Sequence, residues 1–255
     1  VNLHEIAALA AASAAAGAVN SIAGGGTLIT FPVLLLCGVA PVTANATSTF
    51  ALVFGTAGSL YGYRRHLAEV RPWLKRFLPV CVVGGVLGAV LLTHTGNEAF
   101  ARLVPFLLLF ATVLFLAQGA FRRLSAYEAA HTPHRGALWG ALLFQFGVAL
   151  YGGFFGAGIG ILMLASLGFL GLTHIHQMNT LKTILGTTIN FVAVLWFLAK
   201  DLVDWPRALI MTAGALVGYY IGSHFAQSIP QRYVRHLITA VGLGISAVLF
   251  YRQFG

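Results

Sequence analysis

Gly17-Ala18-Val19-Asn20-Ser21-Ile22-Ala23-Gly24-Gly25-Gly26-Thr27 falls near the middle of an apolar run from about residue 5 to 40. A membrane-crossing helix needs roughly 20 residues, so the run is too long for one crossing. Glycine inside a helix costs about 1 kcal/mol relative to alanine, and three in succession favour a break. A second glycine cluster, Tyr151-Gly152-Gly153-Phe154-Phe155-Gly156-Ala157-Gly158-Ile159-Gly160, interrupts the equally overlong run 137–171. Broken backbone at membrane depth is tolerated only where it is buried or lines a cavity. A half-helix opening at Thr27 would aim free backbone N–H groups and a positive dipole end at an anion.

Between and beyond these runs the apolar segments are 43–63, 73–93, 100–121, 177–199, 206–226 and 232–251, joined by short loops. The longest polar connection, 122–136, is the natural midpoint, and the order of features repeats on either side of it. Each half has a long apolar run with a glycine cluster, a short turn, then a helix opening with Asn: Asn45-Ala46-Thr47-Ser48-Thr49 in one, Asn179-Thr180-Leu181-Lys182-Thr183 in the other. Small-residue spacing recurs later in both, as Gly84-x-x-x-Gly88 and Gly214-x-x-x-Gly218-x-x-x-Gly222, which lets helix backbones approach closely in lipid. The expected fold is an all-α polytopic membrane protein with two homologous halves, 1–125 and 137–255, joined by a cytoplasmic linker at 126–136. Each half has a glycine-broken first segment followed by three transmembrane helices. Paired glycine-interrupted segments are the sequence pointer to a transporter's binding site. If each long run is a re-entrant pair, the halves are inverted repeats, and the weak basic bias at Lys200 and Arg207 agrees with that option.

Composition narrows the class independently. Of 255 residues, 58% are hydrophobic and 8% charged, against roughly 25% charged in a soluble domain. Two cysteines, Cys37 and Cys81, both in apolar runs, exclude a disulfide scaffold, and 19 Phe exclude disorder. With no Lys or Arg before Arg64, the first apolar run lacks the basic region of a removable leader and reads as mature membrane structure. The formal net charge of +9 comes from clusters: Arg64, Arg65, Arg71, Lys75 and Arg76 in one connection, and Arg122, Arg123 and Arg135 in another. That is the positive-inside pattern of cytoplasmic loops facing anionic lipid, and no basic helical face or fold motif supports nucleic-acid binding. The four Trp, at 73, 139, 196 and 205, fall near segment ends, as in an interfacial aromatic belt.

All six acidic residues, Glu5, Glu69, Glu98, Glu128, Asp201 and Asp204, lie in or beside predicted loops. Lys182 is the one Lys or Arg well inside an apolar segment. Intramembrane charge is expensive and marks function, so one interior cation without a carboxylate suits an anionic substrate. On the helix after Ile175, Asn179, Lys182, Thr183, Gly186 and Asn190 share one face. Asn45, Ser48, Thr49 and Thr56 are the first-half counterpart. The candidate substrate-binding residues are Asn20, Gly24, Gly25, Gly26, Thr27, Asn45, Ser48, Gly156, Gly158, Asn179, Lys182 and Thr183. The competing structural readings are that Lys182 snorkels to the interface and that Asn45 and Asn179 cap helices. No cofactor or metal site is expected: Gly156-x-Gly158-x-Gly160 has no preceding strand or following acid, and His174-x-His176 has no carboxylate or thiol beside it. No catalytic residues are assigned, since Ser21 and Ser48 have no buried acid to orient a base.

These residues resemble the sulfite exporter TauE/SafE family across nearly the whole chain, in two copies. The resemblance is carried by Gly24-Gly25-Gly26-Thr27 with Phe31-Pro32, Gly38-Val39-Ala40-Pro41 and Ala44-Asn45-Ala46-Thr47-Ser48. In the second half it is carried by Tyr151 to Gly158, His176, Met178-Asn179 and Lys182. It implies an inner-membrane permease, not an enzyme, that exports small sulfur-containing anions such as sulfite, sulfoacetate or related organosulfonates. The second half departs from the family pattern, with Leu172-Thr173-His174-Ile175 in place of a Pro-containing turn and Lys182 where small hydroxyl residues often stand. The alternatives are a permease for another small anion (a carboxylate or thiosulfate), a membrane enzyme and an assembly subunit. The expected partners are the anionic substrate and the bilayer, and the glycine spacing permits a homodimer contact or intrachain packing equally.

Overall fold

A computed structural model describes residues 1–22, 25–63, 67–128, 135–169, 172, 174–225 and 231–254. Its elements are α1 (Leu3–Ile22), α2 (Thr27–Leu36), α3 (Pro41–Tyr63), α4 (Leu67–Glu128), α5 (Arg135–Phe154), α6 (Ile159–Phe169), α7 (Ile175–Ala199), α8 (Trp205–Phe225) and α9 (Gln231–Phe254). Among the described residues there is no strand. Arg64 and Arg65, two of the five residues of the longest basic cluster, lie outside the described residues, whereas Arg71, Lys75 and Arg76 sit on the first turns of α4 rather than in a loop. α4 also runs on to Glu128, into the stretch read as a polar connection, because Leu124, Ala126 and Glu128 are all good helix formers.

α4 has 62 residues. At 1.5 Å per residue a straight helix of that size would span about 90 Å, roughly three bilayer cores. Instead Gly96, at φ 73° and ψ 169°, turns the chain back and divides α4 into two arms, 67–95 and 97–128. That conformation is essentially open to glycine alone. Counted this way the described residues form two series of five helices, each with a helix of 20 residues followed by a short one of 10 or 11.

The helix ends fix the topology. At the end we call upper, Arg207 at the start of α8 donates to Glu5 at the start of α1 (2.6 Å) and also pairs with Asp204. Asn97 accepts the Val42 N–H at 3.0 Å, and Thr47 accepts that of Asp204 at 3.0 Å. The turn after α2 is a Schellman motif: Gly38, at φ 77°, donates to Leu35 and Val39 donates to Leu34. α7 ends the same way, with Asp201 in the left-handed conformation. At the lower end, Gln177 at the start of α7 donates to Glu69 at the start of α4 (3.2 Å).

The closest packing follows the glycine spacing. α1 and α8 run parallel, with Gly214, Gly218 and Gly222 against Ala10, Ala14 and Ala18. The first arm of α4 and α5 do the same, with Gly84 and Gly88 against Ala149 and Leu150. These glycines therefore serve contacts within the chain. A Cβ on Gly218 would stand 1.9 Å from the Ala14 carbonyl oxygen, and one on Gly88 2.1 Å from that of Leu150. The element contacts match on exchanging the two series: α1 on α8 corresponds to α5 on α4, and α3 on α8 to α7 on α4. Fully buried phenylalanines fill the upper half of the core, where Phe31 meets Phe155 (5.4 Å between ring centres) and Phe100 (6.1 Å) edge to face.

The outer faces are apolar, with Leu87, Leu91, Phe106, Phe110, Val113, Phe191 and Leu195 all exposed. Contiguous apolar exposure on this scale marks a surface that meets something other than water. Among the described residues, Leu67–Ala117 and Gln177–Ala199 are apolar and long enough to cross a bilayer by themselves; Thr27–Leu36, Leu138–Phe154 and Thr239–Tyr251 are shorter apolar helices.

Gly96→Ala is expected to cost about 1–3 kcal/mol from backbone strain alone, since nothing lies within 4 Å of its Cβ position. Gly218→Val should cost at least as much, by separating α1 from α8. Thermal denaturation in detergent measures both; an unchanged Gly218→Val melt would mean that the α1–α8 contact is not held by backbone proximity.

Candidate functional site

Both long runs break where their glycines lie. α1 ends at Ile22 and α2 begins at Thr27; α5 ends at Phe154 and α6 begins at Ile159. Each gap is bridged by a side chain six residues upstream of its backbone partner. Asn20 Oδ1 accepts the Gly26 N–H at 2.7 Å, and the Tyr151 hydroxyl donates to the Ala157 carbonyl at 2.8 Å. The first bridge satisfies a donor and the second an acceptor, at equivalent points of the two series. Gly25, Gly156 and Gly158 have φ of 93°, 82° and 79°, in the region that side chains other than glycine rarely adopt. At Gly25 a Cβ would also stand 2.1 Å from the Phe115 ring.

Between the breaks lies a cavity of about 510 Å³. Thr27 at the start of α2, and Ile159 and Gly160 at the start of α6, belong to its lining, and the first N–H groups of a helix have no partner within it. α3 adds Thr49 and Thr56. α7 adds Lys182, Thr183, Thr187 and Asn190, which recur at helical spacing. α8 adds Tyr219 and Tyr220, and Leu52, Phe115, Ile161 and Leu216 form apolar wall. The Lys182 stem lies along Gly160, its Cδ 3.4 Å from where a Cβ there would be. Among the described residues Lys182 has no ion-pair or hydrogen-bond partner, and no acidic residue lines the cavity. The Tyr219 hydroxyl has Asn20 and Thr56 beside it but no well-aligned hydrogen bond. Two convergent helix starts, an ammonium, and hydroxyl and amide groups are the equipment for holding an anion.

The model of the family described as sulfite exporter TauE/SafE matches residues 9–249. The chain belongs to the sulfite exporter TauE/SafE family. A probable membrane transporter protein of Haemophilus influenzae is 28% identical over 239 residues, covering 92% of this chain and 90% of that protein. The probable membrane transporter protein YfcA of Escherichia coli K12 is 26% identical, covering 94% and 87%. A third, ORF9 of a Sinorhizobium species, is 28% identical over 95% and 91%. No solved structure matches. The TauE/SafE chain is thus an all-helical membrane transporter.

Of the residues singled out in this TauE/SafE sequence, Asn20, Gly25, Thr27, Gly156, Gly158, Lys182 and Thr183 come together around the cavity. Gly24 lies outside the described residues. Gly26 is buried beside the cavity with its N–H held by Asn20. Asn45 is buried toward the upper end, where its amide donates to the Phe154 carbonyl at 3.2 Å across the two series. Ser48 shares a 2.6 Å hydrogen bond with Thr30. Asn179 is half-buried on the first turns of α7 and does not line the cavity. Thr49, Thr56, Gly186 and Asn190, read as parts of two polar stripes, all line it. Tyr219 and Tyr220 escape sequence reasoning because one Tyr pair in an apolar helix resembles an interfacial anchor.

Tyr151→Phe and Asn20→Ala should each lower stability by about 1 kcal/mol, the worth of one hydrogen bond. Gly156→Ala should lower it by about 1–2 kcal/mol through its positive φ. Detergent melts of the three variants test this; a Tyr151→Phe melt equal to wild type would mean that the Ala157 carbonyl finds another donor.

Proposed function

We propose that the chain is a multi-pass permease of the bacterial cytoplasmic membrane. It exports small sulfur-containing anions, sulfite, sulfoacetate or related organosulfonates, by alternating access. The observation that carries this reading is Lys182. It is the one cationic residue among the described residues lining the cavity, it has no acidic partner there, and it shares that lining with the starts of two half-helices, lying along Gly160 of one of them. A monoanion entering that space neutralises the ammonium and meets backbone donors on both sides.

The halves, 1–125 and 137–255 about a linker at 126–136, act as inverted repeats. In support, α1 and α2 enter from the upper end and return to it, while α5 and α6 enter from the lower end. Arg71, Lys75 and Arg76 gather at the lower end, whereas Glu5, Glu98, Asp201 and Asp204 balance Arg102, Lys200 and Arg207 at the upper one. By the positive-inside rule the lower end is cytoplasmic. The Phe31–Phe100–Phe155 cluster then lies between the cavity and the outside, since Phe31 is one turn beyond Thr27 along α2. This conformation takes up substrate from the cytoplasm, and release requires those rings and the Glu5–Arg207–Asp204 contacts to part.

A second reading, a permease for another small anion such as a carboxylate or thiosulfate, is favoured by the same lining, which recognises charge and acceptor atoms rather than sulfur.

Efflux of sulfite and sulfoacetate from proteoliposomes tests the assignment. Lys182→Ala should reduce flux about 10–100-fold, the worth of one charge-assisted contact, with an unchanged melting temperature; Lys182→Arg should retain part of it. Flux unaffected by Lys182→Ala would mean that the lysine stands apart from the path. Acetate or thiosulfate flux in place of both sulfur anions would favour the second reading.

A further inference from the structure

A second hollow lies on the outside of the bundle. It is a groove of about 650 Å³ between the C-terminal half of α2, the second arm of α4 and the last turns of α9. Its walls are aliphatic: Pro32 and Leu36 from α2, Val104 from α4, Ile245 and Val248 from α9. Leu36 and Val248 are exposed. Polar groups are confined to one end. There Gln253 donates to the Arg102 carbonyl at 3.3 Å, and the Arg102 side chain is exposed. Among the described residues no acid and no hydrogen-bond acceptor engages the Arg102 guanidinium.

The end with Arg102 and Gln253 is the upper one, beside the Gly96 bend and the C-terminus of α9. Gly244, at the other extreme of the groove, is about 14 Å deeper along α9 at 1.5 Å per residue. An aliphatic slot of that length, open to the membrane, with Arg102 at headgroup level and unpaired among the described residues, has the shape and charge of a single-lipid seat. A second copy of the chain would fit it poorly, because it would bury an unpaired guanidinium. We propose that the groove holds one phospholipid of the outer leaflet, an acyl chain along α9 and the phosphate on Arg102.

The location gives the lipid a structural task. α2 is only 10 residues long, and its first residue, Thr27, lines the substrate cavity. Its other end meets α9 sparsely, whereas α6 packs extensively along α4. The acyl chain completes the outer packing of α2 and so steadies the helix start that faces the cavity.

Gly244 supplies the test. Nothing lies within 4 Å of its Cβ position, so Gly244→Leu extends a side chain into the groove without displacing protein atoms. The full chain, delipidated in detergent and titrated with phosphatidylglycerol, is examined by native mass spectrometry and thermal denaturation. Wild type should retain one lipid per chain and melt higher with it. Gly244→Leu should retain none and melt at the same temperature with or without lipid. Arg102→Gln should bind about fivefold more weakly, and Arg102→Lys close to wild type. Equal retention by wild type, Gly244→Leu and Arg102→Gln would overturn the proposal. So would a wild-type dimer that Gly244→Leu dissociates, which would make the groove a contact between copies.

Discussion

A peptide backbone interrupted inside a membrane must find its hydrogen-bond partners within the protein, and the rest of this structure depends on how that demand is met. Asn20 and Tyr151 meet it in opposite ways, one accepting from Gly26 and the other donating to Ala157. With the gaps bridged, α2 and α6 can begin at depth: Leu28, Ile29 and Ile161 donate back to Gly25, Gly26 and Gly158, and Thr27, Ile159 and Gly160 stand on the cavity wall. Gly25, Gly156 and Gly158 permit the turns because their φ values are positive. The cavity is what remains when two such interruptions face each other across α3 and α7.

Close packing is the second condition. α1 could not lie against α8, nor α5 against α4, if Gly218 or Gly88 carried a Cβ. These contacts bring the two interruptions within reach of one small molecule. Polar residues nearby divide into those spent on architecture and those left available. Thr30 and Ser48 hold each other, and Asn45 ties α3 to the end of α5. Lys182, Thr183 and Asn190 line the open space.

Much of this is legible in the sequence because its signals are local. Glycine clusters inside overlong apolar runs mark the breaks, the four-residue glycine spacing marks the close contacts, and a lysine in an apolar helix marks the interior. What is not local escapes. The stripe Asn45, Ser48, Thr49 and Thr56 is continuous along α3, yet only Thr49 and Thr56 line the cavity, since Phe154 and Thr30 engage the other two from elsewhere in the chain. Tyr219 reaches the site because α8 packs on α1, a pairing between residues some 200 positions apart. The bend at Gly96, by contrast, falls in the short connection expected between 73–93 and 100–121.

The partner exchange between the two series bears on how the protein is made. α1 finds its main neighbour in α8, and the first arm of α4 finds its neighbours in α5 and α7. Synthesis proceeds from the N-terminus, so the first series enters the membrane before its closest partners exist. Gly17 and the Ala10–Ala14–Ala18 face of α1 then meet lipid until α8 arrives. The first five helices cannot reach their final arrangement as a finished unit and wait for the second five. The packing of α1 is therefore completed late in synthesis, and a pause before α8 emerges prolongs the interval in which that small-residue face is open to wrong partners.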